Sequence, residues 1–172
     1  MGRDVLFGVV LGIAWCLIHE IRYLLMLAQG KHPQLGSTLY LDGTRQAFAQ
    51  VVAHVPSSIR GALGFFLIIF LLRALLRNQW LAGAGFVLLF TALQSVGHSW
   101  AAIEIPTQIL IYSIAAVMLL RFGLVTLAVG MFTTTALLNV PLVTATSAWY
   151  FANCTFPFLA VAALTLWGLQ QH

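Results

Sequence analysis

Residues 5–27 read VLFGVVLGIAWCLIHEIRYLLML. No charged side chain occurs between Val5 and Ile18, and the run then continues through His19, Glu20 and Arg22 to a second apolar cluster ending at Leu27. At 1.5 Å per residue this segment is roughly 35 Å long as a helix, enough to cross a hydrocarbon core of about 30 Å. A helix on a soluble domain carries polar residues along one face, and the first half of this run has none. Its start, Met1-Gly2-Arg3-Asp4 before an apolar run, has the outline of a signal peptide. No small-residue cleavage site precedes His19 and Glu20, so the segment reads as a retained first membrane helix.

The same signal recurs along the chain. Of 172 residues, 61% are apolar and 7% are charged, whereas about a quarter of a soluble domain is charged. Further apolar runs cover residues 59–76, 80–96, 105–120, 123–140 and 149–168, separated by short breaks. Residues 29–58 are more polar. Within them, 30–38 has the Gly, Pro and Ser content of an extracytoplasmic loop. From Thr44, Phe48, Val51, Val52 and Val55 recur at helical spacing, opposite Gln46, Gln50 and His54, which predicts an amphipathic interfacial helix that Pro56-Ser57-Ser58 ends. The expected fold is all-α, a single membrane-embedded domain over 1–172: a polytopic transmembrane bundle of about six spans plus that interfacial helix.

Charge gives the orientation. The chain is net +4, but its eight Lys and Arg residues are scattered singly, without the clustered stripe that follows a phosphate backbone, so nucleic acid is excluded as a partner. Arg3, Arg73, Arg77 and Arg121 fall at span ends that share one side if six spans alternate. The positive-inside rule then places both termini in the cytoplasm of a bacterial-type inner membrane. Lys31 and Arg45, partly balanced by Asp42, occupy the opposite side. Trp80, Trp100, Trp149 and Tyr150 fall at span ends, where amphipathic rings anchor in the headgroup layer.

Few residues carry chemistry, and none completes a catalytic motif. His19-Glu20 opens the zinc-protease pattern, but Tyr23 stands where the second histidine belongs. The structural reading is a buried polar cluster, Glu20 with Arg22 or Arg60. The enzymatic alternative is an intramembrane metal-dependent or proton-transfer site in which His54 and His98 join His19 and Glu20. Cys16 and His19 share a helix face, yet two ligands make only half a tetrahedral site, so no metal and no cofactor is implied. Cys16 and Cys154 both lie in apolar runs and read as free thiols. A small carrier or channel would need a polar path lined by Gln94, Thr133, Thr134, Thr135 and Asn139. Gly8 and Gly12, four apart, form a small-residue seam against which another helix can pack closely.

Several segments taken in order carry a family resemblance: Gly2-Arg3-Asp4-Val5-Leu6, then Leu41-Asp42-Gly43-Thr44-Arg45-Gln46-Ala47, Leu120-Arg121-Phe122-Gly123-Leu124, Asn139-Val140-Pro141-Leu142, and Ser147-Ala148-Trp149-Tyr150. Together the pattern resembles the C-terminal multi-pass membrane region of bacterial, acidobacterial-type eukaryote-like serine/threonine protein kinases. In that family the kinase domain precedes the membrane region, which implies a cytoplasmic N-terminus and a signalling context. The kinase motifs themselves are absent, with no Gly-rich phosphate loop, no catalytic His-Arg-Asp and no Asp-Phe-Gly, so kinase activity is carried by no residue here. The resulting expectation is a non-catalytic anchor, sensor or interaction module. Its partners would be the lipid bilayer and either a cytoplasmic kinase-type protein or further copies of itself.

Overall fold

The computed structural model describes residues 2–30, 43–95, 101–139 and 151–171, and all of its regular elements are helices. They are α1 (Gly2–Ala28), α2 (Thr44–Leu76), α3 (Gln79–Ser95), α4 (Ala101–Val117, prolonged by a π-helical turn Met118–Phe122), α5 (Leu124–Leu138) and α6 (Phe151–Gln170). Three stretches, Gly2–Ala28, Thr44–Leu76 and Ile103–Phe122, are long and apolar enough to cross a membrane, and Leu124–Leu138 and Thr155–Gln170 are shorter apolar helices. Over the described residues the protein is thus a membrane-embedded bundle of six helices. The loop expected at 30–38 lies outside the described residues from position 31 onward.

One boundary differs from the expectation. No break occurs at Pro56, and the helix expected to lie on the membrane surface and the span after it form a single α2 of 33 residues. Proline removes one N–H from the helix ladder, but Pro56 is exposed, so the carbonyl left without its donor is not sealed in the core. Ser57 Oγ donates to the His54 carbonyl at 2.9 Å. The end of α2 is a left-handed stop: Arg77 has φ 54° and its N–H closes on the Arg73 carbonyl. Asn78 Oδ1 then accepts from the Trp80 N–H at 2.9 Å and opens α3.

Five helices form a closed circuit of neighbours, α1, α4, α3, α2, α6 and back to α1, and α5 packs within it against α1, α2 and α6. Sequence explains the inner position. Of the residues in α5 only Val125 is exposed, and the helix presents Gly130 and small β-branched threonines to its neighbours. Between helices in lipid there is no hydrophobic gain, so close van der Waals fit and interhelical hydrogen bonds decide which faces meet.

The tightest seam joins α1 to α5. A Cβ added at Gly8 would stand 2.8 Å from the Thr126 carbonyl oxygen, and one at Gly12 would stand 2.8 Å from that of Gly130. Thr126 Oγ1 donates to the Asp4 carbonyl at 3.1 Å, and Thr134 Oγ1 donates to the Gly12 carbonyl at 3.0 Å. Both bonds link residues 122 apart, so the two helices run parallel and in register.

A second cluster of contacts, between α2, α3 and α4, is aromatic. Phe65 meets Phe86 and Phe90 edge-on at 5.1 and 4.9 Å between centroids, and Tyr112 closes the group 5.1 Å from Phe90. The Tyr112 hydroxyl accepts from Gln94 Nε2 at 3.2 Å, which satisfies the polar end of a ring otherwise buried.

Candidate functional site

The polar chemistry buried in the bundle centres on Arg22 and Glu104. Arg22 lies near the C-terminal end of α1, and Glu104 in the first turn of α4. Arg22 Nη1 donates to both carboxylate oxygens, at 3.0 Å to Oε1 and 2.8 Å to Oε2. The Glu104 side chain is 5% exposed and that of Arg22 is 28% exposed. The carboxylate is therefore sealed in the bundle, while the guanidinium keeps some contact with the surroundings. The next turn of α4 is internally satisfied, since Thr107 Oγ1 donates to the Ile103 carbonyl at 2.8 Å.

This arrangement changes the expected pairing. Arg22 takes Glu104, not Glu20, as its partner, and among the described residues Glu20 and Arg60 make no ion pair with each other. The reason is angular. Glu20 stands two residues from Arg22 on α1, and positions two apart on a helix face away from each other. Arg22 points to α4, so Glu20, about 200° away round α1, points elsewhere. Arg60 is exposed on α2. Glu104 precedes the apolar run at 105–120, and α4 reaches back over it to start at Ala101.

His19 is half-buried one turn before Arg22 on α1. His54 is half-buried on α2, and His98 lies outside the described residues. Among the described residues no three His, Cys, Asp or Glu side chains gather as a metal site would require. Cys16 is a free, half-buried thiol.

Three of the polar residues expected to line a path bond to helix backbones, and Gln94 bonds to Tyr112. Thr134 Oγ1 donates to Gly130 as well as Gly12, Thr135 Oγ1 to the Met131 carbonyl at 2.7 Å, and Asn139 Nδ2 to the Thr135 carbonyl at 2.7 Å. Thr133 is fully buried and its hydroxyl has no partner among the described residues. Such back-bonding is how threonine is accommodated in an apolar helix.

The two ends of the bundle differ in charge. Gly2 packs on Gly168 and Gln171, the Phe7 ring lies tilted against that of Phe122 with centroids 4.6 Å apart, Gly83 meets Leu120, and Gly85 meets Leu72 and Leu76. These contacts bring Arg3, Arg73, Arg77 and Arg121 to one end, where all four are exposed and Asp4 is the acidic residue among them. Glu20, Arg22 and Glu104 occupy the other end, with Arg45 exposed at the start of α2. No family model, curated protein or solved structure matches the chain.

Proposed function

We propose that this chain is a non-catalytic multi-pass module of a bacterial inner membrane that anchors or senses for a signalling partner of the kinase type, with its arginine-bearing end in the cytoplasm. The observation that carries the reading is the closed Arg22–Glu104 pair. Among the described residues the most buried charge, Glu104, is already neutralised by a neighbour within the bundle, so the pair pins α1 to α4 and is not itself an open acid or base for a substrate. The arginine-bearing end supports the orientation, because positive residues are retained on the cytoplasmic side. The kinase-type partner rests on the resemblance of the quoted sequence segments.

The test is a pair of fusions expressed in bacteria. A reporter active only in the cytoplasm, placed at residue 1, is expected to be active and to sediment with membranes after alkaline extraction. The same reporter placed in the connection at 31–42 is expected to be silent. Recovery of the chain in the soluble fraction sinks the membrane-module reading, and an active reporter at 31–42 with a silent one at residue 1 sinks the orientation.

A further inference from the structure

A charge stands on the outward face of α2. Arg60 is about 160–180° round the helix from the buried Ser58, Ala62 and Ile69, so it faces away from the bundle, and it is exposed. It lies about 20 Å along α2 from Arg73 at the arginine-bearing end, which places it roughly 10 Å inside the far edge of a hydrocarbon core of about 30 Å. A charged side chain within a span nearly always has a partner, because the apolar layer offers it none. Among the described residues Arg60 makes no ion pair and no side-chain hydrogen bond. The chain has four acidic side chains. Glu104 is taken by Arg22, Glu20 does not pair with Arg60, and Asp4 stands at the arginine-bearing end. Asp42 precedes α2, whose first residue is about 24 Å from Arg60.

The line of α2 through Arg60 changes character on either side of it. Toward the arginine-bearing end it continues, past Gly64, through Leu67 and Leu71, each 57% exposed, as a surface for acyl chains. Toward the far end it continues through Pro56, Ala53 and Ala49, all exposed, none larger than proline and all within about 40° of Arg60. In a helix each Cα–Cβ bond tilts toward the N-terminus, which for α2 is the far end. An arginine reaching that way keeps its stem on the helix and its charged head toward the headgroup layer, and no bulky side chain on that line stands between them.

We propose that Arg60 binds the phosphate of a phospholipid in the leaflet opposite the arginine-bearing end, and that it draws this headgroup below the level of its neighbours, over Ala53 and Pro56. Lipid is what covers an outward face of a spanning helix, and a phosphodiester is the anion that lipid carries. The guanidinium offers it two parallel N–H donors. A headgroup without a cation of its own, as in phosphatidylglycerol, leaves the phosphate to Arg60, whereas the choline of phosphatidylcholine competes for it. The site therefore favours the former. This deepens the membrane-module reading by naming a lipid that the module recognises, and it rests on that reading for the position of the bilayer.

The test uses the full chain in vesicles of phosphatidylglycerol and phosphatidylcholine, with a trace of phosphatidylglycerol that bears a photoreactive group on its headgroup. Labelled peptides are mapped by mass spectrometry. Labelling of residues 49–57 is expected in the parent, about tenfold less in R60Q, and unchanged in R73Q/R77Q at the opposite end. R60K restores the charge without the paired donors and is expected to label more than R60Q. No labelling of 49–57 in the parent, equal labelling in R60Q, R60K no better than R60Q, or equal labelling by a phosphatidylcholine probe of the same design overturns the proposal. Suppression by added inorganic phosphate would show that a free anion fills the site in place of a lipid, and overturns it too. Membrane retention is read in the same preparations. A retained chain that fails these tests refutes the lipid site alone, and loss of retention refutes the module reading beneath it.

Discussion

Arg22 Nη1 lies 2.8 and 3.0 Å from the two oxygens of Glu104, and this contact ties the end of the first helix to the start of the fourth across 82 positions of sequence. It is a charge-assisted hydrogen bond with one buried partner, the kind whose loss exposes an uncompensated ion to an apolar setting.

Removing either charge alone is therefore expected to destabilise the bundle. Because Arg22 retains partial exposure, the expected cost of R22M or E104L is about 2 kcal/mol, below the 3–5 typical of a fully buried pair. The double variant R22M/E104L is expected to recover at least half of that. Unfolding in a mild detergent with increasing denaturant measures the cycle; a double variant that costs the sum of the two singles would show that the pair contributes nothing.

Gly12 and Gly64 are expected to respond in opposite ways. A side chain at Gly12 meets the Gly130 carbonyl oxygen at 2.8 Å and the Thr133 Cβ at 2.9 Å, both too close to yield cheaply, whereas nothing stands within 4 Å of one at Gly64. G12V is expected to cost about 2–3 kcal/mol by forcing α1 away from α5. G64A is expected to be neutral or slightly stabilising, since alanine is the better helix former. Thermal midpoints of the purified variants discriminate the two.

Gly123 has φ +98° and joins the π-helical turn to α5, its N–H closing on the Met118 carbonyl at 2.9 Å. An added Cβ would touch nothing within 4 Å, so any penalty is purely one of backbone conformation. G123A is expected to cost about 1–2 kcal/mol. A midpoint equal to that of the parent would mean that the turn relaxes to another conformation.

The metal alternative makes its own prediction. Since no three ligand groups gather among the described residues, a chelator such as EDTA is expected to leave the thermal midpoint unchanged in both the parent and H19A. A chelator-dependent fall in the parent that H19A abolishes would restore the reading of a metal site at His19.

Much of the helical architecture was legible in residues alone because it depends on local length and hydropathy. The expected run at 5–27 became Gly2–Ala28, and that at 80–96 became Gln79–Ser95. Pro56 misled for a physical reason. Proline's preference for helix ends is an average over water-exposed helices, while a long apolar helix tolerates one at the cost of a single N–H. Gly8 and Gly12 announced a close approach but not to which helix. The loop expected at 30–38, His98, and the anchors Trp100, Trp149 and Tyr150 lie outside the described residues beyond position 30, while Trp80 stands exposed at the start of α3.

The candidate site was only half visible. Arg22 was marked by being a charge within an apolar run, since such a group must find a counter-charge. Its nearest candidate in sequence was Glu20, and helix geometry turns that residue to a different face. Composition by itself determined that the chain is helical and membrane-embedded, because apolar length is a property of each segment alone. Only the tertiary structure decided that α1 lies parallel to α5 and that Glu104 receives Arg22. Which faces meet depends on how surfaces from distant segments fit together, and no single segment contains that fit.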